Sequence, residues 1–80
     1  MTTPDPRAYI RVANQLRQQI ADGTLRPGQP TPSITTLVQD HGVARQTAAK
    51  ALRLLESEGL VTRIPGLGYY VTEKAGQDQA

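Results

Sequence analysis

The 80-residue chain has no cysteine, one histidine and no long apolar run, and its charge is nearly balanced. Each shortage excludes something. Without cysteine, neither a disulfide nor a thiolate metal site can brace the fold. With His41 as the only histidine, a metal ligand set is not expected, and a histidine at a helix end is explained by the unpaired carbonyls there. No stretch is long enough for a membrane span or a signal peptide, so a cytoplasmic protein is expected. Nine Lys+Arg against seven Asp+Glu leave a net charge of +2, too weak a bias to point to nucleic acid by itself. There is no His/Cys/Asp cluster, no phosphate-cradling glycine loop before a helix and no carboxylate pair in an apolar setting, so neither an enzyme nor a cofactor is expected. The length gives one domain with a modest core and marginal stability.

What is present is concentrated between residues 41 and 71, HGVARQTAAKALRLLESEGLVTRIPGLGYYV. Ala48, Ala51, Leu52 and Leu55 recur at i, i+3, i+4 and i+7, one face of a helix expected over residues 45–58. The opposite face carries Gln46, Lys50, Arg53 and Ser57, with Arg45 and Ala49 on a flank. Arg45, Lys50, Arg53 and Arg63 gather the positive charge in this stretch. A helix that offers cationic and amide side chains from its N-terminal half is built like a major-groove reader. The plainer reading is a solvated basic face, and only the neighbourhood separates the two. Gly42 supplies a turn before the helix. Two short strand-like runs come after it around Pro65-Gly66-Leu67-Gly68. Helix, turn, helix, hairpin is a winged helix-turn-helix, an α+β, mostly α class with three helices and a small antiparallel wing.

The rest of the chain supports that core. Residues 1–5 read as a disordered lead, residues 6–73 as the domain and residues 74–80 as a polar tail. Asp5 and Pro6 suit the start of a first helix whose stripe is Tyr9, Val12, Ala13, Leu16 and Ile20 and whose stop is Asp22-Gly23. Arg17 lies off that stripe and reads as solvated, whereas Arg7 and Arg11 are placed to reach phosphates if the helix start abuts a duplex. The segment TLRPGQPT is too rich in proline for helix, and Leu25 is expected in a short strand that pairs with the later hairpin. Ser33 caps a second helix bearing Ile34, Leu37, Val38 and His41. Leu60, Thr62 and Ile64 alternate with Val61 and Arg63, Pro65-Gly66 fits the centre of a type II turn, and Tyr69 to Val71 return.

Taken together, these residues resemble the N-terminal DNA-binding domain of the GntR (gluconate-repressor-type) bacterial transcription regulators. The likeness runs from Tyr9 to Val71 through IADGTLRPG, Pro32-Ser33, Gly42-Val43, Arg45, Thr47, Ala51-Leu52, Leu55-Glu56, Glu58-Gly59-Leu60-Val61, Gly66 and Gly68. Four departures stand out. Ile34 and Thr35 occupy positions where the family usually has an acid and an arginine. Ala44 replaces a serine or threonine cap, Ala49 a second arginine, and Leu67 a basic residue between the wing glycines. GntR proteins normally continue into a metabolite-binding, dimerising domain. The chain stops at Ala80, so no small-molecule effector is expected.

The resemblance implies a sequence-specific double-stranded DNA-binding transcription regulator. Arg45 and Gln46 are expected at the base edges, where arginine grips guanine and glutamine grips adenine. Thr47 is expected at a phosphate or thymine methyl, Ser33 at a phosphate with the start of the second helix, and Lys50 and Arg53 at phosphates. Thr35, Ala49 and Arg63, with the wing residues Gly66, Leu67 and Gly68, complete the candidate set. A weak or DNA-assisted homodimer on an inverted repeat is expected, because one small module makes few contacts. The alternative is a winged helix used for protein–protein contact after loss of DNA binding, which exposure of Leu54 and Leu67 would favour.

Overall fold

The computed structural model describes residues 7–73. The expected lead, the Asp5-Pro6 helix start and the polar tail therefore lie outside the described residues. Three helices, α1 (Ala8–Ala21), α2 (Ile34–His41) and α3 (Arg45–Ser57), are followed by an antiparallel hairpin of β1 (Val61–Ile64) and β2 (Gly68–Val71). Val61 pairs with Val71 and Ile64 with Gly68. This is the winged arrangement read from the sequence.

α1 buries Ala8, Val12, Ala13, Leu16 and Ile20 along one stripe, and Tyr9 packs half-buried beside them. The helix stops where Asp22 N–H closes on the Gln18 carbonyl at 2.9 Å and Gly23 turns to φ +87°. Ala13 of α1 and Ala48 and Ala51 of α3 are all fully buried in the same core, and such small side chains let two packed helix axes approach closely. Leu16, Leu37, Leu52 and Leu55 fill the space beyond them, closed by Val61 and Val71 from the hairpin. Each of these large side chains contributes roughly 1.5–3 kcal/mol through burial.

α2 and α3 are joined by only three residues. Gly42 takes the left-handed conformation at φ +65°, and its N–H donates to the Val38 carbonyl. The two helices open differently. Ser33 caps α2 by accepting the Thr36 N–H at 3.0 Å, whereas Ala44 has the extended N-cap backbone but no side chain to cap with.

Three expectations are corrected. Leu25 is not in a strand: its N–H goes back to the Gln19 carbonyl at 3.0 Å, at the end of α1. The pairing with the hairpin falls later, where Gly28 N–H meets Val71, Val71 N–H meets Gln29 and Thr31 N–H meets Tyr69. It amounts to one bridge, Pro30 to Tyr70, because Pro30 and Pro32 have no N–H with which to extend a ladder. Secondly, strict alternation fails in β1. Val61 is buried, Ile64 half-buried, and Thr62 and Arg63 are both exposed, because the hairpin leaves the core after its first residue. Thirdly, Arg17 is not merely solvated. Its guanidinium donates to both carboxylate oxygens of Glu58, Nε to Oε1 at 2.8 Å and Nη2 to Oε2 at 2.5 Å, and it also reaches Asn14. This brace joins α1 to the C-terminal cap of α3. The hydrogen bonds from Arg17 hold the Glu58 carboxyl below the usual carboxylate range.

Candidate nucleic-acid interface

The start of α2, the start of α3 and the wing enclose a cleft of about 380 Å³. Of the expected site residues it is lined by Ser33, Thr35, Arg45, Arg63, Gly66, Leu67 and Gly68, with Pro32, Ile34, Leu52, Ile64 and Tyr69 forming much of the remaining wall. Residues far apart in sequence thus converge on one concavity lined by two arginines, Arg45 and Arg63, and four hydroxyl-bearing side chains, Thr31, Ser33, Thr35 and Tyr69.

Ser33 shapes one edge. Its Oγ is committed to Thr36, accepting from the backbone N–H and facing the Thr36 hydroxyl at 2.9 Å. The amide groups of the first turn, at Ile34 and Thr35, have no intrahelical acceptor and point out of the helix end. Anions are favoured there by the helix dipole and by those N–H groups.

Thr35 has a role the sequence did not disclose. The family pattern marks its position only as that of a missing arginine. In the fold its Oγ1 accepts a hydrogen bond from Arg45 Nη1 at 3.1 Å. The arginine that opens α3 is thereby tethered to the first turn of α2. No local pattern announces a contact between positions ten apart in different helices.

Gln46 and Arg53 are exposed on the outer face of α3, and Thr47 and Ala49 lie half-buried on its flanks. Lys50 is exposed, yet it does not simply extend outward from the outer face of the helix. Its Nζ sits 4.3 Å from the ring centroid of Tyr9, in the first turn of α1. Arg45 and Lys50 are therefore held by different neighbouring helices, with Gln46 and Arg53 between them. Gln46, Thr47, Ala49, Lys50 and Arg53 lie outside the cleft.

At the wing tip Leu67 N–H donates to the Ile64 carbonyl at 2.9 Å across Pro65 and Gly66. Gly66 has φ +81°, as a type II turn requires at its third position. Leu67 is 68% exposed. Leu54, the other leucine relevant to a protein-docking face, is half-buried against the core. A single apolar tip is not a contiguous patch.

The sequence matches the family described as "Bacterial regulatory proteins, gntR family" over residues 8–71. The chain belongs to the GntR family. Among GntR relatives, it is 39% identical over 69 residues to the histidine utilization repressor of Pseudomonas putida, covering 86% of this chain and 28% of that one. It is likewise 39% identical over 66 residues to the mannosyl-D-glycerate transport/metabolism system repressor MngR of Escherichia coli, covering 82% and 28%. The chain thus spans under a third of the length of these two curated relatives. Among solved structures, AraR(DBD) in complex with operator ORR3 superposes with a TM-score of 0.78 at 30% identity, covering 90% of this chain and 93% of that one. A transcriptional regulator from Oenococcus oeni shares the fold at a TM-score of 0.82. Among the described residues, no helix is long and apolar enough to cross a membrane.

Proposed function

We propose that this GntR domain reads double-stranded DNA as a cytoplasmic transcription regulator of the repressor type. α3 enters the major groove, with Arg45 and Gln46 nearest the base edges. The open N-terminus of α2 beside Ser33 takes a backbone phosphate, and Arg53 adds charge to the backbone on the outer face. The wing tip, Pro65 to Gly68, lies along the minor groove, where Gly66 permits close backbone approach. The observation that carries this reading is the Arg45–Thr35 hydrogen bond at the mouth of the cleft. It fixes a guanidinium fork at the N-terminal end of the helix, where base readout needs a pre-aimed donor pair.

Two copies related by two-fold symmetry are proposed to occupy an inverted repeat, paired weakly or only on DNA, because one module of this size contacts few base pairs. The names of the repressors similar to this chain and the operator complex of AraR(DBD) support the reading. The test is enrichment of duplexes from a random-sequence pool by the purified chain, followed by electrophoretic shift. The expected product is a two-fold symmetric consensus on which Arg45→Ala costs about 1–3 kcal/mol and loses preference at one base pair. Recovery of no consensus would overturn the proposal. Equal weakening on all sequences would reduce Arg45 to a phosphate contact.

A further inference from the structure

Arg45 and Lys50 lie five residues apart on α3, so their side chains leave the helix about 140° apart. Arg45 is tied to Thr35 at the start of α2. Lys50 is stacked over Tyr9 in the first turn of α1. A helix seated in a major groove runs between two sugar–phosphate strands, and here each flank of the helix is walled by a different neighbour. The α2 wall carries Ser33 and outward N–H groups. On the α1 side, the Tyr9 ring brings its hydroxyl beside the Lys50 ammonium of α3.

Both are available. Tyr9 is half-buried with its ring against the core. Its hydroxyl bonds to no described residue, and among the described residues no buried side-chain oxygen lacks a partner, so the hydroxyl is not sealed from solvent. Lys50 is exposed and forms no ion pair with a described residue. A ring face attracts an ammonium without neutralising it, so the positive charge remains while the flexible stem is held in place.

We propose that Tyr9 is a DNA-contacting residue and that Tyr9 and Lys50 together grip one phosphate on the strand opposite to that held at the N-terminus of α2. The tyrosine hydroxyl donates to a phosphate oxygen. The same ring holds the lysine ammonium beside it, so the two donors converge on one anion. α1, otherwise a core helix, thereby forms the second rim of the reading head. The inference rests on the DNA-binding reading above and adds to it a residue, a strand and a geometry.

The experiment uses the full 80-residue chain and the duplex recovered from the random pool. Tyr9→Phe keeps the ring and removes only the donor. It is expected to weaken binding roughly tenfold with an unchanged salt slope and an unchanged melting temperature. Lys50→Met is expected to lower the salt slope by about 0.9. In phosphate-ethylation interference, Tyr9→Phe and Lys50→Met should both lose the same phosphate and keep those on the other strand, and the Tyr9/Lys50 double variant should weaken less than the two single effects combined. Wild-type affinity in Tyr9→Phe, or a loss matched by a lower melting temperature, would overturn the proposal and leave Tyr9 a packing residue. So would loss of different phosphates in Tyr9→Phe and Lys50→Met, or loss on both strands in either. If the wild-type chain recovers no duplex at all, the DNA-binding reading fails and this inference with it, a result distinct from the others.

Discussion

Ala44→Ser should stabilise this domain, and the structure supplies its own calibration. Ser33 and Ala44 are the N-caps of adjacent helices and have nearly the same backbone, φ −68°, ψ 163° and φ −70°, ψ 157°. At Ser33 that geometry places Oγ 3.0 Å from the N–H three residues on. At Ala44 the equivalent N–H, that of Thr47, faces a methyl group. Ala44 is exposed, so an added oxygen meets no packing obstacle. Serine in place of alanine at such an N-cap is worth about 1 kcal/mol, which for a domain of this size raises the melting temperature by roughly 4–8 °C. Thermal unfolding followed by circular dichroism should show the rise, and Ser33→Ala should show a comparable fall. A midpoint unchanged by Ala44→Ser, alongside a clear loss in Ser33→Ala, would refute the reasoning, since the two sites share one geometry.

Gly66→Val should destabilise by about 1–2 kcal/mol. A Cβ there meets nothing within 4 Å, so the cost is the φ of +81° alone; Gly66→Asn should lose less, and chemical denaturation of the pair checks this. The Arg17–Glu58 brace is depressed-carboxyl chemistry. The unfolded carboxyl binds protons more readily than the folded one, so the contribution of the brace is complete above the ordinary glutamate range and disappears as pH falls through the lowered folded value. As both side chains are about a third exposed, the brace contributes only about 0.2–1 kcal/mol, and the gap in melting temperature between wild type and Glu58→Gln should close on acidification from neutral pH. Arg53→Ala should weaken binding on all sequences alike and lower the salt slope by about one; a changed base preference in the selected consensus would move Arg53 to the base edges.

Periodicity made the helices legible. Leu16, Leu52 and Leu55 stand where a 3.6-residue stripe puts them, and Ser33, Gly42 and Gly66 mark ends and turns by chemistry that needs no tertiary partner. Pairing between distant segments was legible only in outline. The lead-in does join the wing, but through residues 28–31, because the Leu25 amide is consumed at the end of α1 and two prolines stop the ladder from growing. Among the candidate site residues, the cleft gathers those of α2, the start of α3 and the wing. The partners that hold them, Thr35 for Arg45 and Tyr9 for Lys50, depend on how helices pack, and a stripe pattern carries no such information.

The division of labour on α3 has an evolutionary consequence. Ala48, Ala51, Leu52 and Leu55 are the residues of α3 that are fully enclosed, whereas Gln46 and Arg53 face only solvent. The positions between the two faces are Thr47 and Ala49, half-buried on the flanks, and Arg45 and Lys50, tied to Thr35 and Tyr9. On the DNA-binding reading proposed above, exchanging Gln46 alters what the helix recognises while the packing that makes it a helix is untouched. On that reading, a lineage carrying this scaffold can shift from one target to another at a position that the enclosed core of α3 does not use.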